Sequence, residues 1–254
     1  MFLIIFLLLY HERKTSKRCI IIGASSGIGY EVAKLLLQDG WYIGVAARRM
    51  ERLESLRSMA PERVFARKID VCSDTATADF NALITALGGV DLLFYAAGIG
   101  WQNKNLEEEK ELRTMETNAL AFTKMIGTAF RYFEKKGGGH IAHISSIAGT
   151  KGLAPAPAYS ASKALQNTYI QALEQLANSR KLNIHFTDIR PGFVDTELLS
   201  GTHFPLLMNP KEVAKKIIKA IYSQKHIIVI DWKWRIITAA WRMIPNVLWR
   251  RIKL

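Results

Sequence analysis

From Cys19 onward, short apolar runs rich in β-branched residues alternate with longer stretches in which apolar residues recur at three- and four-residue steps. The runs predict strands over residues 19–22, 42–47, 64–69, 92–95, 140–145, 183–189 and 227–230. The stretches between them predict helices over 28–38, 74–87, 106–133, 158–178 and 210–222. Asn209-Pro210-Lys211-Glu212 reads as a helix start, with a capping side chain, a proline in the first turn and an acid at its third position. Strands separated by helices build a parallel sheet covered on both faces, so the expected fold is α/β: one doubly wound, seven-stranded sheet flanked by helices. No repeat, low-complexity tract or linker divides residues 19–230. They are read as one domain between an extension over 1–18 and a tail over 231–254.

With 254 residues, 49% of them hydrophobic, the chain can bury one sizeable core. The formal charge of +13 raises nucleic acid or membrane as partners. That charge is concentrated at the ends, in Arg13, Lys14, Lys17 and Arg18 and in Lys233, Arg235, Arg242, Arg250, Arg251 and Lys253. The core domain is only mildly basic and shows no basic helix or aromatic ribbon, which argues against nucleic acid. Cys19 and Cys72 lie in or beside apolar runs without metal-ligand spacing. They are read as reduced packing residues of a cytoplasmic protein, and no metal site is expected.

The apolar opening, residues 1–10, is about half the roughly 20 residues that span a bilayer, and it has no basic n-region or cleavage site. It is either a short interfacial anchor or an extension from a misplaced start codon. The tail holds four of the six tryptophans together with six basic residues. It is expected to lie in an anionic membrane surface on the cytoplasmic face, or to pack on its own domain or a second subunit.

The first strand runs into Gly23-Ala24-Ser25-Ser26-Gly27-Ile28-Gly29, and a helix begins within this loop. Gly23 permits a tight turn, Gly27 a close approach to phosphate and Gly29 close helix packing, while the helix N-terminus offers free N–H groups to a pyrophosphate. At the end of the second strand, where an acid would hold the ribose hydroxyl of NAD, stands Ala46-Ala47-Arg48-Arg49. With no carboxylate to repel a 2′-phosphate and Arg48 able to pair with one, NADP(H) is the expected cofactor. Asp70-Val71 and Ala96-Ala97-Gly98 follow the third and fourth strands, at the strand ends where such sheets bind ligand. On a predicted helix, the spacing of Tyr159 and Lys163 puts both on one face, so that the ammonium can favour the phenolate.

The glycine loop, Ile144-Ser145-Ser146-Ile147-Ala148-Gly149, Tyr159-x-x-x-Lys163 and Pro191-Gly192-Phe193-Val194-Asp195-Thr196 together resemble the short-chain dehydrogenase/reductase family, in order and in spacing, from about residue 19 to 230. The resemblance implies a Rossmann-type sheet and an oxidoreductase that moves a hydride between NADP(H) and a carbonyl or alcohol carbon. Tyr159 would be the acid–base, Ser146 would hydrogen-bond the substrate oxygen, and Lys163 would depress the tyrosine pKa and bind the nicotinamide ribose. Asn118 would hold a proton-relay water near the lysine. Ser25, Ser26, Ile28, Asp70, Val71, Ala97, Gly98, Pro191, Gly192, Val194 and Thr196 complete the implied cofactor site, and a homodimer or homotetramer is expected.

Two positions depart from the family pattern: Ile22, where a threonine is usual, and Tyr95-Ala96-Ala97-Gly98, where Asn-Asn-Ala-Gly is usual. Losing both polar partners together should leave neither buried and unpaired. The departures bear on pocket detail and strand rigidity, not on the chemistry. Residues 196–208, Ile99-Gly100-Trp101 and Leu153-Ala154-Pro155 line the implied substrate side and are mostly apolar, which suits a lipid- or steroid-like ketone. His143 and His203, lacking partners at ligand spacing, are read as packing or surface residues. The alternative reading, an NADP(H)-binding sensor without turnover, has no use for a proton donor.

Overall fold

The computed structural model of the chain describes residues 17–199 and 204–253. The apolar opening over residues 1–10 and His203 lie outside the described residues. Seven strands, β1 (Arg18–Ile22), β2 (Tyr42–Ala47), β3 (Val64–Lys68), β4 (Leu92–Tyr95), β5 (Gly139–Ile144), β6 (Ile184–Arg190) and β7 (Ile227–Val229), form one sheet in the order β3-β2-β1-β4-β5-β6-β7. Every pairing is parallel. The expected α/β, doubly wound architecture is the one observed.

Alternate residues of each central strand feed two separate cores. Ile20, Ile22, Leu93 and Tyr95 pack with α3 (Ala76–Leu87), α5 (Phe122–Lys136) and α6 (Pro157–Ser179). Cys19, Ile21, Leu92 and Phe94 pack with α1 (Gly27–Gln38), α2 (Met50–Met59) and α7 (Pro210–Tyr222) on the opposite face. Because both faces are covered, the strands are apolar at successive positions. The helix α2 was not expected from periodicity, since only Leu53 and Leu56 of its ten residues are buried. The helix predicted over 106–133 is broken instead into α4 (Glu108–Met115), a π-turn at Glu116–Ala121, and α5. Beyond β7 come α8 (Trp232–Met243) and the short α9 (Asn246–Trp249). Among the described residues no helix is long and apolar enough to cross a membrane.

The chain leaves β1 toward β2 and β3, then crosses back to β4 on the other side of β1. Loops diverge at that switch point and open a crevice at the carboxyl ends of the strands. Here the loops after β1 and β4 touch through backbone: a Cβ added to Gly23, whose φ is +90°, would stand 2.6 Å from the Ala97 nitrogen.

One expectation is corrected. Ile22 and Tyr95 are ladder partners on β1 and β4, and the Tyr95 ring meets Phe122 edge-on at 5.3 Å. The Tyr95 hydroxyl is buried with no hydrogen-bond partner among the described residues. The departures from the family pattern therefore do leave a polar group unpaired, because the residue that replaces asparagine brings its own hydroxyl into the core. Burial pushes that phenol well above its usual pKa. Tyr95→Phe is expected to raise the unfolding free energy by about 1 kcal/mol, the cost of an unpaired buried hydroxyl. An unchanged or lower urea midpoint would mean that the hydroxyl is satisfied after all.

Candidate active site

Helix α6 starts at Pro157, where a missing N–H costs nothing. The Ala158 N–H donates to Glu111 Oε2 at 3.0 Å, so α4 supplies the acceptor at this helix start. One turn separates Tyr159 from Lys163, and the lysine is buried. Its ammonium donates to the Ile144 carbonyl at the end of β5 and to Gln166 Oε1, each at 3.0 Å. It stands 5.7 Å from the centre of the Tyr159 ring. Gln166 passes the contact on, its Nε2 donating to the Asn118 carbonyl at 2.8 Å. That carbonyl lies in the π-turn, where the regular helical ladder is interrupted. The Asn118 side chain faces the loop after β4, accepting from the Ile99 N–H at 2.9 Å and donating to the Ile99 carbonyl at 2.7 Å. A glutamine amide thus joins the lysine to the Asn118 backbone.

Burial pushes the Lys163 pKa down to about 8, against the opposing charge of Asp188. Burial also raises the Tyr159 phenol, partly offset by a hydrogen bond with Ser146. Ser146 caps the short 3₁₀ turn Ile147–Thr150, its Oγ accepting from the Ala148 N–H at 3.0 Å. Ser145, pointing the other way, donates to Asp188. Asp188 also accepts from Arg190 through two nitrogens, at 2.7 and 2.6 Å. His143 Nε2 is 3.4 Å from the same carboxylate, and burial holds this ring neutral by lowering its pKa to about 4.

The glycine loop forms a cradle in backbone. A Cβ on Gly29 would lie 2.2 Å from the Gly23 carbonyl oxygen, and one on Gly27 (φ +55°) 3.0 Å from Thr196 Cγ2. Ser26 caps α1 in extended conformation without using its side chain, leaving the first-turn N–H groups open to an anion. Arg49 Nη2 reaches Ser25 Oγ at 3.2 Å and Ser26 Oγ at 3.0 Å. It also pairs with Glu197 at 2.8 Å. That bond, more than any other influence, holds the Glu197 carboxyl below the usual range. Arg48 is exposed, and its neighbour is the arginine that meets the loop.

Gly98 faces Asn118 and Lys163, where an added Cβ would lie 3.3 Å from Asn118 Oδ1 and 3.6 Å from Lys163 Nζ. Ile28 and Val71 pack against the two cores, and the Pro191 carbonyl accepts from the Ile147 N–H. Asp70 is exposed and accepts from the Cys72 N–H in a local turn. The structure thus brings Ser146, Tyr159, Lys163, Asn118, Gly98, Ala97, Thr196 and the glycine loop to one end of the sheet. Arg48 and Asp70 stand exposed beside them. These residues fit a dinucleotide, for the helix start is open and a carboxylate already occupies the anion position at Arg49. Among the described residues no cluster of three or more His, Cys, Asp or Glu could hold a metal ion.

On the substrate side, Gly100 lies under the Tyr159 ring, where a Cβ would come within 2.4 Å of Cδ2. The loop after β6 closes on itself through a bridge between Val194 and Met208. Phe193 packs tilted against Phe204, ring centres 4.4 Å apart, and takes the edge of Trp234 at 5.3 Å. Gly192 makes room for Trp234, whose Nε1 lies 2.3 Å from the place of a Cβ there. That buried indole N–H has no hydrogen-bond partner among the described residues. The tail therefore packs on its own domain: Trp241 donates to Thr150 Oγ1 and Trp249 to the Gly152 carbonyl, both at 2.8 Å. Leu153 and Ala154 line a cleft of about 450 Å³ beside the outer face of α6, whose walls include neither Tyr159 nor Ser146.

A profile of the family described as short chain dehydrogenase matches residues 17–203. The chain belongs to this family. An uncharacterized oxidoreductase of Myxococcus xanthus is 30% identical over 240 residues, covering 91% of this chain and 94% of the relative. A farnesol dehydrogenase of Aedes aegypti is 32% identical over 199 residues, covering 74% of this chain and 81% of that one. Among solved structures, an actinorhodin polyketide ketoreductase variant with NADPH superposes with a TM-score of 0.73 at 25% identity, covering 85% of this chain and 95% of that one. The short chain dehydrogenase is thus an oxidoreductase of CH–OH and carbonyl groups.

Several groups at the site of this short chain dehydrogenase escape the sequence reading. Asp188 and Arg190 went unnamed, though opposite charges two apart at the end of β6 share one face and are a signal that could have found them. Gln166 was visible as an amide one turn beyond Lys163 on an otherwise buried helix face. Arg49 stood beside Arg48 in the sequence, but its pairing with Glu197, far along the chain, gave no signal. Gln166 is a positioning residue, because its carbonyl favours the charged lysine. Gln166→Leu is expected to drop the Lys163 pKa below its value of about 8, and Gln166→Glu to raise it, as read by NMR titration of the ammonium. A titration unmoved by either change would limit Gln166 to packing.

Proposed function

We propose that the chain catalyses the NADP(H)-dependent interconversion of a carbonyl and a secondary alcohol, acting on an apolar, lipid- or steroid-like substrate. The observation that carries this reading is the convergence of Tyr159, Ser146 and a buried Lys163 beside Gly98, next to a backbone cradle suited to pyrophosphate. The nicotinamide, when bound, supplies or accepts the hydride. In reduction, Tyr159 gives its proton to the carbonyl oxygen as the carbon receives the hydride, and takes one back in oxidation. Ser146 donates to the same oxygen and stabilises its developing charge. Lys163 has two of its three N–H groups committed to Ile144 and Gln166, and the third is left for the ribose and the phenol.

The preference for the phosphorylated cofactor rests on Arg48 and Arg49 and on the lack of an acid at the end of β2. Arg49 is held beside Ser25 and Ser26, and a 2′-phosphate would take the place of Glu197 on it. The ketoreductase solved with NADPH supports the same choice. The apolar substrate is supported by Phe193, Leu198, Phe204 and Leu206 in and around the loop after β6, and by the mosquito relative named for farnesol.

Tyr159→Phe is expected to abolish turnover while NADPH affinity stays within about threefold, since only the proton donor is lost. Turnover near that of the unaltered chain would sink the mechanism. NADPH should bind at least about tenfold tighter than NADH, roughly 1.4 kcal/mol from a charge-assisted phosphate contact. Calorimetry on Arg48→Ala and Arg49→Ala separates the two arginines, with Arg49 carrying most of the difference. Equal affinities in the unaltered chain would refute the cofactor preference.

A further inference from the structure

Helix α8 meets its domain along one narrow stripe. Trp234, Thr238 and Trp241 face inward, and only the first two are buried. At about 100° per residue, the opposite face carries Trp232, Ile236, Ala240 and Met243. Trp232 is 59% exposed, Ile236 60% and Met243 83%, values usual for charged side chains and not for these. The same spacing puts Lys233 along one border of this apolar strip and Arg235 and Arg242 along the other. Val247, Leu248 and Ile252 continue the exposed apolar surface among Arg250, Arg251 and Lys253. No acid follows Asp231.

This is a convex ridge with cationic borders rather than a groove, so it offers nothing for a peptide or a helix to enter. A second copy of the chain seated on it by two-fold symmetry would bring the same six cations of each copy together with no acid between them. An anionic bilayer supplies both complements at once, acyl chains for the ridge and phosphates for its borders. We propose that the outer face of α8 and α9 docks in the plane of an anionic membrane surface. Trp232, Ile236, Met243 and Leu248 enter the boundary of the acyl region, and the flanking lysines and arginines remain at the headgroups. The inner face of the same segment touches Phe193 in the loop after β6 and Thr150 and Gly152 in the loop after β5.

The test is co-sedimentation of the full chain with vesicles of phosphatidylcholine containing about one-third phosphatidylserine, against pure phosphatidylcholine, at low and high salt. Binding to the anionic vesicles is expected to exceed that to neutral ones by at least about tenfold at low salt and to fall steeply as salt rises. The full chain carrying Ile236→Glu and Met243→Glu should lose this binding with an unchanged melting temperature, because both positions face solvent. Lys233→Gln with Arg235→Gln and Arg242→Gln should lose the preference for anionic lipid. Equal binding to both vesicles, or full binding by the glutamate variant, overturns the proposal. So does sedimentation velocity showing that the unaltered chain self-associates through this face and ignores vesicles.

Discussion

An ammonium group out of water needs acceptors around it, and few positions in a protein interior provide them. Lys163 is such a group, and each of its supports comes from a different part of the fold. The Ile144 carbonyl is available because β5 ends there. Gln166 is one turn further along the same helix, and its amide is fixed by a carbonyl inside a π-turn of another. Asp188 on β6 supplies the opposing charge, held in turn by Arg190 and Ser145. Tyr159 inherits its position from this arrangement, since it sits one turn earlier on the helix that the lysine anchors. The sheet, the interrupted helix and the buried ion pair thus serve a single cation.

The other half of the site depends on the absence of side chains. Gly23, Gly29, Gly98, Gly100 and Gly192 each stand where a Cβ would meet backbone or a functional side chain within van der Waals distance. Two of these approaches shape the anion cradle and two flank the tyrosine and lysine. The fifth admits an indole from beyond the last strand. Surfaces made of backbone present N–H groups at fixed positions and lose no side-chain entropy when a ligand arrives.

All seven strands and the covering of both sheet faces were legible in the sequence, most plainly at β1 and β4, whose short runs are almost wholly apolar. Helix α2 was not, since two buried leucines make too short a stripe. The π-turn was also hidden, for the same apolar positions suit a regular helix, and the bonds of Asn118 to Ile99 and Gln166 exist only in the folded chain. At the site, residues adjacent along the chain were readable, whereas the Arg49–Glu197 pair and the contact of Gln166 with Asn118 exist only after folding. The Tyr95 hydroxyl shows a different limit: the sequence displays a substitution but not which way the new group will point.

The packing of Trp234 over Gly192 also bears on the order in which the protein becomes functional. Translation delivers residues in sequence, and domains begin to organise as they emerge. The last strand is complete at Val229, but the indole that fills the space above Gly192 is made after it, and the Trp241 and Trp249 anchors later still. The Rossmann-type core can therefore assemble on the ribosome with its substrate loop unbraced. The loop gains its support only when α8 has been made and has folded against it, so the site matures after the sheet that carries it.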